Sequence, residues 1–570
     1  MWNGEVMFGL LFLAIGLGLL VTFVVRKFAK GSSHERGASP LRNFFQFGVL
    51  YALIIIVANG VAGLLGRLMS SSALVIADNA SLARNLSFVV VGVPLLVGIG
   101  FWTRKGMRSD PRSADDPIIA FFVLVSTMTA LLMALTSTTS CLHNLVSTQP
   151  FNGQTLANAI VWTLIWIGLW RLHRIIVSPA KSHTHHLAGS LVGYIASVLG
   201  LVSVIAHVIA QFAGMNNAAL VATQTVELKY AIISFAVGAL VWMHYWVRVA
   251  SKESRTTLWL AYVLLVGVGS GLVMAVASAS TTLYTVAVWF IGEPHSTVAR
   301  THFASTPSAL GVIMVGLIGW WYHRSLVSGT VKRTEIDRTY AYLIAGISLI
   351  ASALGLSMIL IAIIEAAFTS DVIVGGSIVN SFLASATLIL VGSPLWVTYW
   401  RRIQQHVKAD EPVELASPSR RVYLFLLFGI GGIAAMVSLL AGVYQLFNDA
   451  FNSGIGGNTI RDMRYSIGVL VSTAIVAAYH WSIYRHENTV DVSFGAKQKT
   501  VLLVGPHDAD ITHAVAQQTG ARITSWSRTD LGEVTWPEHD VVKAILESTS
   551  QQLIVILGAT GLEVIPVVRD

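Results

Sequence analysis

The chain is 570 residues long, with 54% hydrophobic residues, 12% charged residues and a mean hydropathy of +0.68. The charged share is about half that of a soluble globular protein, which excludes an ordinary string of soluble domains. A single cysteine, Cys141, excludes an intramolecular disulfide and any Cys-cluster metal site.

Val6–Val25 reads as a first spanning helix. Glu5 precedes it, and Arg26, Lys27 and Lys30 follow, the reverse of a cleavable leader; cations after the span place the N-terminus outside. Six hairpins follow, with spans at 44–68 and 86–103, 117–139 and 156–172, 187–213 and 228–249, 257–281 and 304–323, 340–366 and 379–400, and 422–446 and 464–484. The corresponding segments are 1–30 for the first helix and 40–110, 116–176, 186–250, 256–326, 338–404 and 420–486 for the hairpins. The fold expected is an all-α polytopic membrane bundle of about thirteen transmembrane helices, one plus six parallel hairpin repeats. This topology puts 31 of the 37 Lys and Arg on the inner side, as membrane insertion favours. Thr281–Gly292 is too apolar for a simple loop and too short to cross, so it is expected at the interface or folded back into the bundle.

Each hairpin closes on aromatic residues followed by cations. Val391–Arg402 (VGSPLWVTYWRR) and Val237–Arg248 (VGALVWMHYWVR) are the fullest copies, with looser ones ending at Arg104, Arg174, Arg324 and Arg485. Amphipathic rings at headgroup depth followed by cations in water make Trp102, Trp170, Trp246, Trp320, Trp400 and Trp481 candidate interface anchors. After a polar linker at 487–498, residues 499–570 read as a small cytoplasmic α/β domain in the order β-α-β-α-β-β. The charge of +8 is uneven: residues 490–570 hold six Lys/Arg against ten Asp/Glu, and the membrane part holds the cationic excess. That excess suits anionic lipid on the cytoplasmic face, and no nucleic-acid partner is expected. Protein partners are expected through residues 499–570.

Arg421–Phe428 (RVYLFLLF), Arg464-Tyr465-Ser466 and the Val391–Arg401 ending together resemble a bacterial two-helix membrane module known as domain of unknown function 5671. The resemblance covers about residues 40–486 and implies tandem copies with a short soluble C-terminal domain. That family carries no assigned activity, so the resemblance implies an architecture and no site residues.

Ionisable groups are nearly absent from the span centres, which leaves no proton relay of the kind pumps need. Asn59, His207 and Asn380 lie in spans and are candidates for an outward-facing polar pocket; the plainer reading is a bond from each to a neighbouring backbone. His183, His185 and His186 (HTHH), with His173 nearby, have imidazoles at metal-ligand spacing, but no carboxylate lies between Arg171 and Gly193, so a solvated loop is expected there. At Gly505-Pro506-His507-Asp508 a strand turns into a helix without a phosphate-binding motif, and its acids read as helix caps. No catalytic residue, metal or cofactor is expected. The function expected is that of a non-enzymatic binding or scaffold protein of the bacterial plasma membrane, the rival being a transporter or channel for a small neutral or apolar solute.

Overall fold

The computed structural model describes residues 40–70, 78–109, 117–176, 183–215, 221–327, 334–368, 377–409, 414–415, 417–452, 454–489, 499–506, 508–528, 536–548, 550, 552–558 and 561–567. Among these, twelve helices are long and apolar enough to cross a membrane, which makes the chain a multi-pass membrane protein. The expected thirteenth span, Val6–Val25, lies outside the described residues, as does most of the linker. The fold divides into two compact units, one running to Thr285 with Pro294–Leu326 added, the other Val286–Glu293 with Val327–Asp570.

The helices group in fours. The first four are α1 (Pro40–Met69), α2 (Asn79–Ser109), α3 (Pro117–Val146) and α4 (Gly153–Ile176). The next are α5 (His183–Phe212), α6 (Val221–Trp242), α7 (Thr257–Phe290) and, after the short α8 (Ala299–His302), α9 (Thr306–Val327). The last are α10 (Glu335–Ala367), α11 (Ile378–Ala409), α12 (Pro418–Asn452) and, after the short α13 (Gly457–Asp462), α14 (Arg464–Thr489). In the outer two groups the first helix packs on the second and fourth, and the third packs on the fourth. The middle group repeats this through glycine contacts. A Cβ on Gly193 would lie 2.4 Å from the Trp242 nitrogen, one on Gly311 2.9 Å from the Val202 oxygen, and one on Gly271 2.6 Å from the Gly316 oxygen. Backbones that close leave room only for glycine, the usual device of helix pairs in lipid.

Helix starts follow local chemistry. Asp78 caps α2, its Oδ1 accepting from the Ser81 N–H at 3.0 Å, and backbone N–H groups there hold its carboxyl below the usual range. Thr334 and Asp337 form a capping box at α10. Pro94 and Pro394 sit at matching places inside α2 and α11. The middle group has no such proline and instead runs into a π-helical turn, Met243–Val247, at the end of α6, with a second within α7 at Tyr262–Gly269. Thr281–Gly292, expected at the interface or folded back, instead continues α7 as helix to Phe290.

The C-terminal domain matches its expected order: β1 (Thr500–Gly505), α15 (Ala509–Thr519), β2 (Arg522–Ser527), α16 (Glu538–Glu547), β3 (Gln552–Gly558) and β4 (Gly561–Pro566). The sheet order is β2-β1-β3-β4, parallel except for the β3–β4 hairpin. Val501, Leu503, Val515, Val541, Ile545, Leu553 and Val555 form its core. The Asp508 carboxylate accepts from the Ile511 N–H at 3.3 Å, as a helix cap does.

Candidate functional site

The HTHH stretch opens α5 and is packed, not solvated. The Glu253 carboxylate, just past the short turn Ala250–Lys252, accepts from Nδ1 of His183 at 2.7 Å and of His186 at 2.6 Å. The supporting carboxylate that the local sequence lacks comes from the far end of the same hairpin. His185 points inward, 1% exposed, and stacks on His173 of α4 with ring centroids 4.0 Å apart. The expected solvated loop is therefore corrected: two hairpins bring these residues together, and burial follows from the helix that begins at His183.

The π turn at the end of α6 completes the cluster. The extra residue in a π turn rotates the following side chains, and both Tyr245 and Trp246 face inward. The Tyr245 ring lies over Gly189, where a Cβ would approach to 2.5 Å, and its hydroxyl accepts from Trp166 Nε1 at 3.1 Å. His244 meets Trp170 edge-on at 5.8 Å. The four ring nitrogens of His173 and His185 have no hydrogen-bond partner among the described residues. Buried imidazoles without partners are costly and tend to occur where a fold holds a function. With Nδ1 held by a carboxylate, His183 and His186 keep Nε2 as a donor or acceptor. Among the described residues no three His, Cys, Asp or Glu side chains converge as a metal set.

A second motif recurs in the middle and last groups. Trp246 Nε1 donates to the Tyr322 hydroxyl at 3.0 Å, and Trp400 Nε1 to the Tyr479 hydroxyl at 2.9 Å. Beside these tyrosines His323 and His480 each place Nδ1 on a carbonyl one turn back, Gly319 at 2.8 Å and Val476 at 2.9 Å. The rings of Tyr262 and Tyr423, each the sixth residue of its helix, close the cluster against Trp246 and Trp400 at 4.7 and 5.7 Å. Trp246 and Trp400 are 0% and 4% exposed. Their expected role as interface anchors is thus corrected: they hold helices together because a tyrosine on the fourth helix accepts the indole N–H. The first group has Leu172 and Phe122 in place of the two tyrosines and, counted from Pro94 and Pro394, Gly100 in place of the tryptophan; Trp102, two residues on, is exposed. Trp170 and Trp320 lie under Arg174 and Arg324 at 5.0 and 5.6 Å, and Trp481 is exposed beside Tyr484.

The three polar candidates each have a partner, and they do not converge on one another. Asn59 Nδ2 donates to the Ile55 carbonyl in its own helix at 2.9 Å. His207 Nδ1 lies 2.7 Å from the Ser203 carbonyl, and Nε2 lies 3.5 Å from Glu227. Asn380 holds the Glu293 backbone on both sides, accepting from its N–H at 2.9 Å and donating to its carbonyl at 2.8 Å.

No curated protein and no solved structure matches the chain. Residues 43–168 and 338–477 each match the family described as Domain of unknown function (DUF5671), the first span taking in α1 to α4 and the second α10 to α14. The family unit is therefore two hairpins, twice the single hairpin expected, and the chain carries it in tandem as two copies of DUF5671.

Proposed function

We propose that this protein is a non-enzymatic binding or scaffold protein of a bacterial plasma membrane, its N-terminus outside and its α/β domain in the cytoplasm as a docking or regulatory part. The observation that supports this reading is that Asn59, His207 and Asn380 are engaged at separate places, Asn59 and His207 on carbonyls of their own helices and Asn380 on the Glu293 backbone, with no bond linking one of the three to another. Between the helices lie indole, phenol and imidazole rings and glycine contacts. Cationic loops suit anionic lipid at the inner surface, and residues 499–570, rich in Asp and Glu, suit protein partners.

A second reading, a transporter or channel for a small neutral or apolar solute, draws on the π turn Tyr262–Gly269 and the partnerless His173–His185 pair, since both features gather at working sites. Swelling of proteoliposomes in glycerol, urea and short alcohols separates the two. The scaffold reading expects rates equal to those of empty liposomes. A rate tenfold higher, abolished by His185→Phe, overturns it in favour of transport.

A further inference from the structure

Both helices of the C-terminal domain pack on one face of its sheet. Side chains of α15 and α16 share a single core with Val501, Leu503, Leu553 and Val555. The residues that alternate with these point to the other face. There Leu502, Val504, Ile554 and Ile556 stay partly exposed, and Trp526, level with Val504, is 64% exposed. Parallel strands are ordinarily covered on both faces, so an apolar parallel face ending in an exposed tryptophan calls for a partner.

The strand residues of this face include one cation and one anion, at opposite corners. Arg522 opens β2, level with Thr500 of β1, and Glu563 stands on β4, level with Ile556 and so with Val504. Both are exposed. From β2 to β4 is three strand spacings, about 14 Å, and from Thr500 to Val504 is four residues, about 13 Å. Arg522 and Glu563 therefore lie across one diagonal of a near-square. The other diagonal runs from Trp526 to Val567, whose N–H donates to the Gln552 carbonyl on the Thr500 level.

We propose that this face packs on the same face of a second copy of the chain, about a two-fold axis along the diagonal from Trp526 to Val567. Rotation about that axis sets Arg522 of each copy over Glu563 of the other and brings the two Trp526 rings together at one end. Because the two sides of the square nearly match, the strands of the two sheets cross near 90°, one of the two ways in which sheets stack. The contact is isologous and closes at two copies. Anionic lipid suits the face less well, because residues 490–570 hold ten Asp/Glu against six Lys/Arg. This goes beyond the reading of residues 499–570 as a docking part, which holds whatever protein they dock.

The test uses the full chain, co-expressed under two tags, solubilised in mild detergent and captured by one of them. Arg522→Glu sets like charges at both corners of the contact, and so does Glu563→Arg. Copies of either variant should therefore co-purify with their own kind about tenfold less than wild-type copies do. Chains of one variant meeting chains of the other regain two opposite pairs, and their co-purification should return to the wild-type level. That return also shows that neither substitution has unfolded the domain. Wild-type copies that do not co-purify, single variants that co-purify as well as wild type, or a loss that the mixed pair does not recover overturns the proposal; lipid or another protein then covers the face.

Discussion

The cores of the last and middle groups are built from the same residues and finished differently. In the last group His480 sits between two hydrogen bonds: Nδ1 with the Val476 carbonyl, and Nε2 with the Tyr423 hydroxyl at 3.1 Å. In the middle group His323 keeps the bond to its own helix, but its Nε2 has no partner among the described residues, although it is 0% exposed. Tyr262 stands where Tyr423 does, yet the helix that carries it leaves α geometry from Tyr262 to Gly269, and the His323 ring lies against Gly267. Tyr423 rides on a regular helix and closes the polar network. The comparison shows that a repeated sequence motif sets which rings meet, while helix geometry decides whether their polar atoms are satisfied. The middle core keeps an unmet bond, the state expected of a place that moves or binds.

The largest effect expected is from Gly267→Leu. A Cβ there would stand 2.1 Å from His323 Cγ, and the π turn leaves the ring no free side. Overpacking of this kind costs about 1–3 kcal/mol or more, so the variant should lose most of its folded yield in detergent, whereas Gly431→Leu on α12, where a Cβ would meet nothing within 4 Å, should keep the wild-type melting temperature.

His480→Phe and His323→Phe sharpen the comparison. Both remove a bond to a helix carbonyl, but only the first leaves a buried tyrosine hydroxyl without its partner. The first should therefore cost about 1–3 kcal/mol more than the second, read from thermal unfolding of the two proteins side by side. Equal losses would mean that the two cores are finished alike.

Glu253→Gln should act more weakly. His183, His186 and Glu253 are partly exposed, so their pairs are worth at most about 1 kcal/mol each. The variant should unfold a few degrees lower at low salt and approach the wild type as salt rises. The smallest effect is at Asp78. Its carboxyl is held below its ordinary 3.8 by the Ser81 N–H, so its stabilisation of α2 is present above that value and is lost as pH falls through the lowered one. Hydrogen exchange at the start of α2 should quicken on acidification in the wild type, while Asp78→Asn should show no such pH step.

The sequence alone reveals spans because twenty apolar residues have few other uses in a chain of this length, and it reveals the α/β domain because its strands and caps are local signals. It does not reveal the pairing of HTHH with Glu253, since the carboxylate arrives from a different helix end and no local pattern announces it. Nor does it separate Trp246 and Trp400 from Trp102 and Trp481: an indole near a helix end suits the headgroup region and an interhelical contact equally well. The distinguishing signal was present in the tyrosine beside the histidine, Tyr322-His323 and Tyr479-His480, against Leu172-His173 in the first group. The four-helix period was hidden for a related reason. Successive hairpins end alike, and only the recurring pairs Leu172-His173, Tyr322-His323 and Tyr479-His480 mark the longer repeat.

The central claim is that Trp246 and Trp400 bind helix to helix through their indole N–H groups. A double-mutant cycle on Trp400→Phe and Tyr479→Phe tests it most directly, because the indole N–H and the phenol oxygen lie 2.9 Å apart and each change removes one side of a single bond. The account predicts non-additive losses, with a coupling of about 1 kcal/mol in thermal or denaturant unfolding. Strictly additive losses, with Trp400→Phe no more costly than Trp481→Phe, would contradict it.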